Sequence, residues 1–112
     1  MVRSVLIAAV VVSCVSLAAT ASAQDLKAKG AQLFTDQKCT LCHSIAGKGN
    51  PKGSLDDVAT KLPSADIRAW ITDAKGMTTK MKSERKPAMK AYDLPKEDVD
   101  ALVAYLETMK KK

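Results

Sequence analysis

Three reactive side chains of this chain stand within five residues, as Cys39-Thr40-Leu41-Cys42-His43. The spacing is C-x-x-C-H, and His43 is the single histidine of the 112 residues. Two thiols at this spacing reach the two vinyl groups of one porphyrin as thioethers, and the next histidine is held where its imidazole binds iron. The segment therefore predicts one covalently attached c-type haem, with Cys39 and Cys42 as attachment points and His43 as an iron ligand.

Three other uses of a cysteine pair fit parts of this pattern. A structural zinc site takes four cysteine or histidine ligands, whereas residues 24–112 contain only these three. A thioredoxin-type redox pair belongs beside a β-α-β unit, and no stretch of the sequence alternates long enough to predict a strand. A plain Cys39–Cys42 disulfide is the third alternative, and it leaves His43 without a role.

The first 23 residues have the layout of a secretory signal peptide. A short charged start is followed by an almost unbroken apolar run over residues 5–19, and Ala21-Ser22-Ala23 supplies the small residues of a cleavage site. The apolar run is shorter than the ~20 residues that a membrane anchor needs. We therefore expect residues 1–23 to be removed together with Cys14, leaving a soluble, exported chain over residues 24–112.

The residues around the motif predict short helices joined by turns. Apolar side chains recur at helical spacing over residues 25–37, which lead directly into Cys39. Glycine, asparagine and proline then mark a loop over residues 47–53, and residues 55–62 predict a short helical turn.

The second half of the chain predicts two more helices separated by a loop. Ser64 is suited to cap the first of them, and Gly76 is suited to stop it. Residues 77–92 are rich in lysine and show no period, so they predict an extended loop. Pro95 begins the last helix, which has acidic residues at its start and lysines at its end. The predicted fold class is all-α.

The predicted core is poor in aromatic side chains, and the predicted surface is basic. The mature chain has four aromatic residues, namely Phe34, Trp70, Tyr92 and Tyr105. A domain this small often needs a metal or another staple, so we expect something besides side chains to fill its interior. Removing the one arginine of the signal peptide leaves 17 basic against 12 acidic residues, a net charge of +5. Such a charge favours docking to an acidic protein partner, whereas nucleic-acid binding would need more aromatic residues for stacking.

The mature chain resembles the class I c-type cytochromes, the small monohaem electron carriers of bacterial periplasms. The resemblance begins in GAQLFTDQKCTLCH, where Gly30 and Phe34 precede the motif as in the family's first helix. It ends in DVDALVAYLETM, where Tyr105 occupies the aromatic position of the family's last helix. The resemblance implies a compact cytochrome c fold in which these two helices cross around one haem, with Gly30, Phe34 and Tyr105 at the crossing.

The resemblance also implies a methionine as the sixth ligand of the iron, from a loop before the last helix. Met77, Met81 and Met89 are the candidates. The segment KPAMKAY is most similar to the family's ligand loop, because proline precedes the methionine and an aromatic residue follows it three positions later. Met89 is therefore the predicted axial ligand opposite His43, with Met81 as the second choice.

Two positions depart from the family pattern. The family often has Gly-Pro-x-Leu after the haem motif, and the proline carbonyl accepts a hydrogen bond from the ligand histidine. This chain reads Gly53-Ser54-Leu55 instead, so the sequence does not identify the accepting carbonyl. The last helix also lacks the family's Ser or Thr cap and is preceded by Leu94-Pro95.

The function implied by the resemblance is periplasmic electron transfer. The chain would carry one electron on its haem, without catalytic residues of its own, between a redox donor and an acceptor with acidic docking surfaces. It would work as a monomer, with no nucleic acid and no stable insertion in a membrane. Two alternatives remain open. One is a five-coordinate haem protein that binds or reduces a small ligand, and the other is a haem subunit of a larger dehydrogenase or reductase.

Overall fold

A computed structural model of the chain describes residues 18–111. Its first helix, α1, spans Ala18–Asp36 and so begins earlier than the predicted residues 25–37. Most of the predicted signal peptide lies outside the described residues, and its cleavage stays a prediction. Within residues 18–111, no helix is both long enough and apolar enough to cross a bilayer.

The first helix packs against the last one, α5, which spans Lys96–Leu106. Gly30 is buried at the contact, where a Cβ would touch the carbonyl oxygen of Ala101 and lie 2.6 Å from the Cβ of Tyr105. One turn further on, the rings of Phe34 and Tyr105 meet edge to face with centroids 6.1 Å apart. The absence of a side chain at position 30 lets the helices approach closely, and the aromatic pair fills the space beside it. The predicted crossing is confirmed.

Three shorter helices lie between these two. They are α2 (Val58–Lys61), α3 (Ser64–Thr72) and α4 (Ala74–Lys80). The apolar face of α3 packs on α5, and the main hydrophobic cluster consists of Phe34, Ile67, Ile71, Val99, Leu102, Val103 and Leu106. The core is therefore built from α1, α3 and α5, as an all-α fold predicts.

The segment after α1 turns tightly before it reaches the loop. Lys38 adopts a left-handed conformation and is followed by a 3₁₀ turn over Cys39–Leu41. Two strands of two residues each, β1 (Ser44–Ile45) and β2 (Lys48–Gly49), then pair in antiparallel fashion. The two residues between them have positive φ, as a type I′ turn requires. This hairpin is too short to leave an alternating pattern in the sequence, and it was not predicted.

The predicted boundary at Gly76 is wrong. The helix that includes Ile67 and Ile71 ends at Thr72, and a new helix begins at Ala74 with Gly76 inside it. The carboxylate of Asp73 accepts a hydrogen bond from the Gly76 amide (3.2 Å), so it caps the new helix and keeps Gly76 in it. The predicted loop over residues 77–92 is shortened accordingly, because its first residues belong to α4.

Two predicted helix starts are also shifted by one residue. Ser64 is the first residue of α3 rather than its cap, and its hydroxyl donates to the carboxylate of Glu107 at the end of α5. Pro95 occupies the cap position of α5, and Lys96 is the first helical residue. Both helices therefore begin next to a proline, whose fixed φ is compatible with a helix start.

Candidate functional site

A cavity of about 580 Å³ opens between the core helices and the loop that follows α4. Its inner wall is apolar and includes Phe34, Ile67, Ile71, Leu102 and Leu106. These are the same side chains that form the main hydrophobic cluster, so the core is left open on one side. This space agrees with the expectation that side chains alone do not fill the interior.

The predicted attachment residues form one rim of this cavity. Cys39, Cys42 and His43 all line it. Cys39 is half-buried and Cys42 is exposed, and both carry free thiols rather than a disulfide. Burial raises the pKa of the Cys39 thiol, with a smaller contribution in the same direction from the neighbouring Cys42.

The orientation of His43 is set by a backbone carbonyl. Its Nδ1 lies 3.0 Å from the carbonyl oxygen of Gly53. A carbonyl only accepts hydrogen bonds, so Nδ1 carries the proton and Nε2 keeps its lone pair. Burial lowers the pKa of the imidazole, and this favours the neutral form that binds metals. Gly53 therefore supplies the carbonyl that a proline often supplies in the family. The sequence alone did not identify this acceptor.

Gly53 is also the point where the loop beyond α4 touches the attachment segment. It is buried, and a Cβ there would meet both the carbonyl oxygen of Cys42 and the guanidinium of Arg85. The same guanidinium donates a hydrogen bond to the carbonyl of Cys42. The missing side chain at position 53 thus makes room for a polar contact between two segments far apart in sequence.

The three candidate methionines occupy different surroundings. Met89 lines the cavity, and it is the one residue between positions 81 and 91 that is not exposed. Met81 is 40% exposed and does not line the cavity. Met77 is buried on α4 and is likewise not part of the cavity wall. The structure thus brings Met89 together with Cys39, Cys42 and His43 around one space, and the ligand assignment itself stays a prediction.

Other polar groups near the cavity differ in how they are engaged. Trp70 and Tyr92 both line it, and burial raises the pKa of the Tyr92 hydroxyl. The Lys90 ammonium lies 5.3 Å from the centre of the Tyr92 ring. Arg68 is held instead by the carboxylate of Asp100, at 2.6 Å. Trp70 and Tyr92 therefore belong to the cavity wall, whereas the Arg68 guanidinium is paired with Asp100.

Two residues of this site were not identified from the sequence. Every residue has a carbonyl, so no pattern singles out Gly53 as the acceptor for His43. Arg85 sits in a basic loop among several lysines, and its contact with Cys42 joins residues 43 positions apart. The one sequence feature that pointed to this region was the departure from the family's Gly-Pro-x-Leu at Gly53-Ser54-Leu55.

The donor groups fit a haem and do not fit the alternatives. Within residues 18–111, no three His, Cys, Asp or Glu side chains are grouped so that they could hold a metal ion by themselves. The only strands described are two residues long, so there is no β-α-β unit for a thioredoxin-type pair. A large apolar cavity, two free thiols at its rim and a neutral imidazole with a free Nε2 match what a covalently bound haem requires.

Comparison with known proteins agrees with this fit. The family model described as "Cytochrome c" matches residues 27–110. Cytochrome c oxidase subunit 2 of Alkalihalophilus pseudofirmus is 30% identical over 97 residues, which cover 78% of this chain and 27% of that protein. The chain thus spans about a quarter of the length of this relative. No solved structure matches the chain. The chain belongs to the cytochrome c family, which implies covalently bound haem c with iron and haem-based electron transfer.

Proposed function

We propose that the chain is an exported, soluble carrier of single electrons in the periplasm, with His43 and Met89 as the two axial ligands of its haem iron. The signal-like residues 1–23 support export, since c-type haems are generally attached outside the cytoplasm. Cleavage after Ala23 would remove Cys14 and leave Cys39 and Cys42 as the cysteines of the mature protein.

The proposed role of each residue follows from its place at the cavity. Cys39 and Cys42 would hold the haem through thioethers, and His43 would bind iron through Nε2 while Nδ1 donates to Gly53. That hydrogen bond fixes the orientation of the ring and makes Nε2 a stronger ligand for the iron. When bound, the haem supplies a one-electron redox centre at its iron. The apolar wall excludes water from this centre, and a thioether ligand favours the reduced state.

The observation that carries this proposal is the placement of Met89. Its neighbours from position 81 to 91 are all exposed, whereas Met89 is partly buried. Of the three candidate methionines, it is the one that lines the cavity with His43. A ligand on each face leaves no open coordination position. The protein then has no place to bind a substrate at the iron, and this supports a carrier rather than an enzyme.

Positive charge at the mouth of the cavity supports docking to an acidic partner. Lys38, Arg85 and Lys90 belong to the cavity lining, and Leu41 beside them is an exposed apolar residue. Complementary charge brings partners together quickly and orients them, which suits a carrier that must bind and release. Working as a monomer would leave this mouth accessible.

The test is a comparison of visible spectra with and without carbon monoxide. The holoprotein, matured with its haem and reduced with dithionite, should keep its spectrum when carbon monoxide is added. Met89→Ala should bind carbon monoxide promptly and lower the reduction potential, because the soft ligand is lost. Met81→Ala is the matched control and should behave like the parent protein. A prompt shift in the parent protein would overturn the proposal in favour of a five-coordinate haem protein.

A second candidate function is that of a haem subunit in a larger redox complex. The specific observation in its favour is the similarity to a protein described as a subunit of cytochrome c oxidase. Gel filtration of native extract distinguishes the two, because a free carrier elutes at its own small mass and a subunit elutes with its complex. In both cases the chain carries electrons on its haem.

A further inference from the structure

The loop that carries Met89 has few hydrogen bonds to hold it. The amide of Ser83 donates to the carbonyl of Thr78 (3.0 Å), and the amide of Tyr92 donates to the carbonyl of Ile71 (2.8 Å). Between these two anchors, in the part of the chain that the structure describes, residues 84–91 make no backbone–backbone hydrogen bond. A loop of this kind opens locally at low free-energy cost unless side chains fasten it.

Arg85 supplies the hydrogen bond that this segment otherwise lacks. Its guanidinium donates to the carbonyl of Cys42, and among the described residues this is the one hydrogen bond from residues 84–91 to the rest of the protein. Arg85 enters the space left by the missing side chain of Gly53. The contact therefore lies beside Cys42, a proposed attachment residue, and beside Gly53, whose carbonyl orients His43.

We propose that Arg85 is a positioning residue that fastens the Met89 loop to the haem-attachment segment and thereby keeps the sixth ligand on the iron. The inference rests on the proposed ligation by Met89. Arg85 lies four residues before Met89, so its contact with Cys42 shortens the unsupported stretch on the N-terminal side of the ligand. The stretch between Arg85 and the Tyr92 anchor is short enough to limit how far Met89 can move away.

The chemistry of arginine suits this role. The guanidinium has five N–H donors in a planar, rigid fork and keeps its charge at any working pH. A hydrogen bond from a charged donor is stronger than a neutral one. Lysine has a single flexible ammonium, so it would keep the charge without the fork. The loop contains several lysines, and Arg85 is its single arginine.

Arg85 would therefore control the fraction of molecules in the open state, in which Met89 has left the iron. An added ligand such as imidazole binds the ferric protein only in molecules whose Met89 has left the iron. Its apparent dissociation constant is therefore the intrinsic constant divided by the open fraction. Loss of one charge-assisted hydrogen bond should raise the open fraction, and hence the apparent affinity for imidazole, about tenfold.

The experiment titrates ferric holoprotein with imidazole and follows the far-red absorption band of methionine-ligated ferric haem. Arg85→Gln should bind imidazole about tenfold more tightly than the parent protein, in line with the loss of one charge-assisted hydrogen bond. Lys86→Gln is the matched control, since it removes the same charge from the adjacent residue of the same loop, and its affinity should stay within about twofold. Arg85→Lys keeps the charge and should change in the same direction by a smaller factor.

The outcomes separate this inference from the proposed function. Equal imidazole affinities for Arg85→Gln and Lys86→Gln, with the methionine band present in both, would overturn the role of Arg85 and leave Met89 as the ligand. If Arg85→Gln yields too little holoprotein, Arg85→Lys decides by the same comparison. A parent protein without the methionine band, unchanged by Met89→Ala, would overturn the ligand assignment and this inference together.

Discussion

The two sides of the haem cavity are built differently. On the attachment side, the amides of His43, Asn50 and Leu55 donate to the carbonyls of Cys39 (2.8 Å), His43 (3.1 Å) and Ser44 (2.9 Å), and a short hairpin closes the segment. On the loop side, residues 84–91 have the single hydrogen bond from Arg85 to Cys42 among the described residues. The attachment side, residues 39–55, is therefore a rigid frame. The loop side, residues 84–91, is joined to this frame by one side-chain hydrogen bond.

Under the proposed ligation by His43 and Met89, this difference indicates which iron ligand is permanent and which is adjustable. His43 is oriented by the Gly53 carbonyl, and the proposed thioether at Cys42 would restrain it further, so it would have little freedom to leave. Met89 depends on a loop whose anchors are few. The stability of the attachment side and the mobility of the loop should therefore respond to different substitutions.

The largest effect should come from damage to the fixed frame at Gly53. Gly53→Ala places a methyl group against the Cys42 carbonyl and the Arg85 guanidinium, so backbone must move. We expect a loss of about 3 kcal/mol in the free energy of unfolding, the upper end of the cost of overpacking. Denaturant unfolding of the holoprotein measures it, and the imidazole affinity should rise as well, because the contact of Arg85 is disturbed.

Gly47→Ala is the matched control for that substitution. A Cβ at Gly47 has no neighbour within 4 Å, and only the positive φ of 79° opposes it. The expected cost is about 1 kcal/mol, without a change in imidazole affinity. If Gly53→Ala were no more destabilising than Gly47→Ala, the attachment side would not be the rigid frame described above.

The second prediction compares the two sides directly by hydrogen exchange. In the native holoprotein, amides of residues 84–86 and 88–91 should exchange about a hundredfold faster than those of His43, Asn50 and Leu55, after correction for intrinsic rates. The reason is that the former lack backbone acceptors in the described structure, whereas the latter three are bonded. Equal protection on the two sides would show that the loop is held by bound haem rather than by its own anchors.

The attachment side of the site is also the part where the sequence carries the most specific pattern. Cys39, Cys42 and His43 lie within five consecutive residues, so a short motif is enough to predict their chemistry. The contact of Gly30 with Tyr105 was predicted from the resemblance to the family's helix crossing, and the structure confirms it. Local motifs and repeated helix contacts leave a pattern in the sequence because few residue types satisfy them.

The errors and omissions have a common physical origin in polar side chains whose partners the sequence pattern does not reveal. Ser64 was predicted as a cap from its local context, but its hydroxyl is engaged by Glu107. Gly76 was predicted as a stop, but the carboxylate of Asp73 starts a new helix there. The contact of Arg85 with Cys42 is of the same kind. Such contacts depend on the folded backbone, which local propensity does not specify.

The smallest effect should come from the scaffold behind the cavity. Hydrogen bonds from Lys96 and Arg68 lower the pKa of the Asp100 carboxyl, which joins α5 to α3. Because the folded pKa lies below the unfolded one, the carboxylate stabilises the fold above the unfolded pKa of about 4, and this contribution is lost as the pH falls through the folded pKa. Asp100→Asn should therefore be slightly less stable than the parent protein at pH 7.

The pH dependence of that difference is what identifies its cause. The difference in the free energy of unfolding between Asp100→Asn and the parent protein should shrink as the pH is lowered from about 5 towards 3. Asp93→Asn is the control, since Asp93 is exposed and has no ion pair within residues 18–111. Imidazole affinity should be the same in both variants at pH 7. A change in Asp100→Asn would mean that the α3–α5 scaffold, and not only the Arg85 contact, determines how firmly Met89 is held.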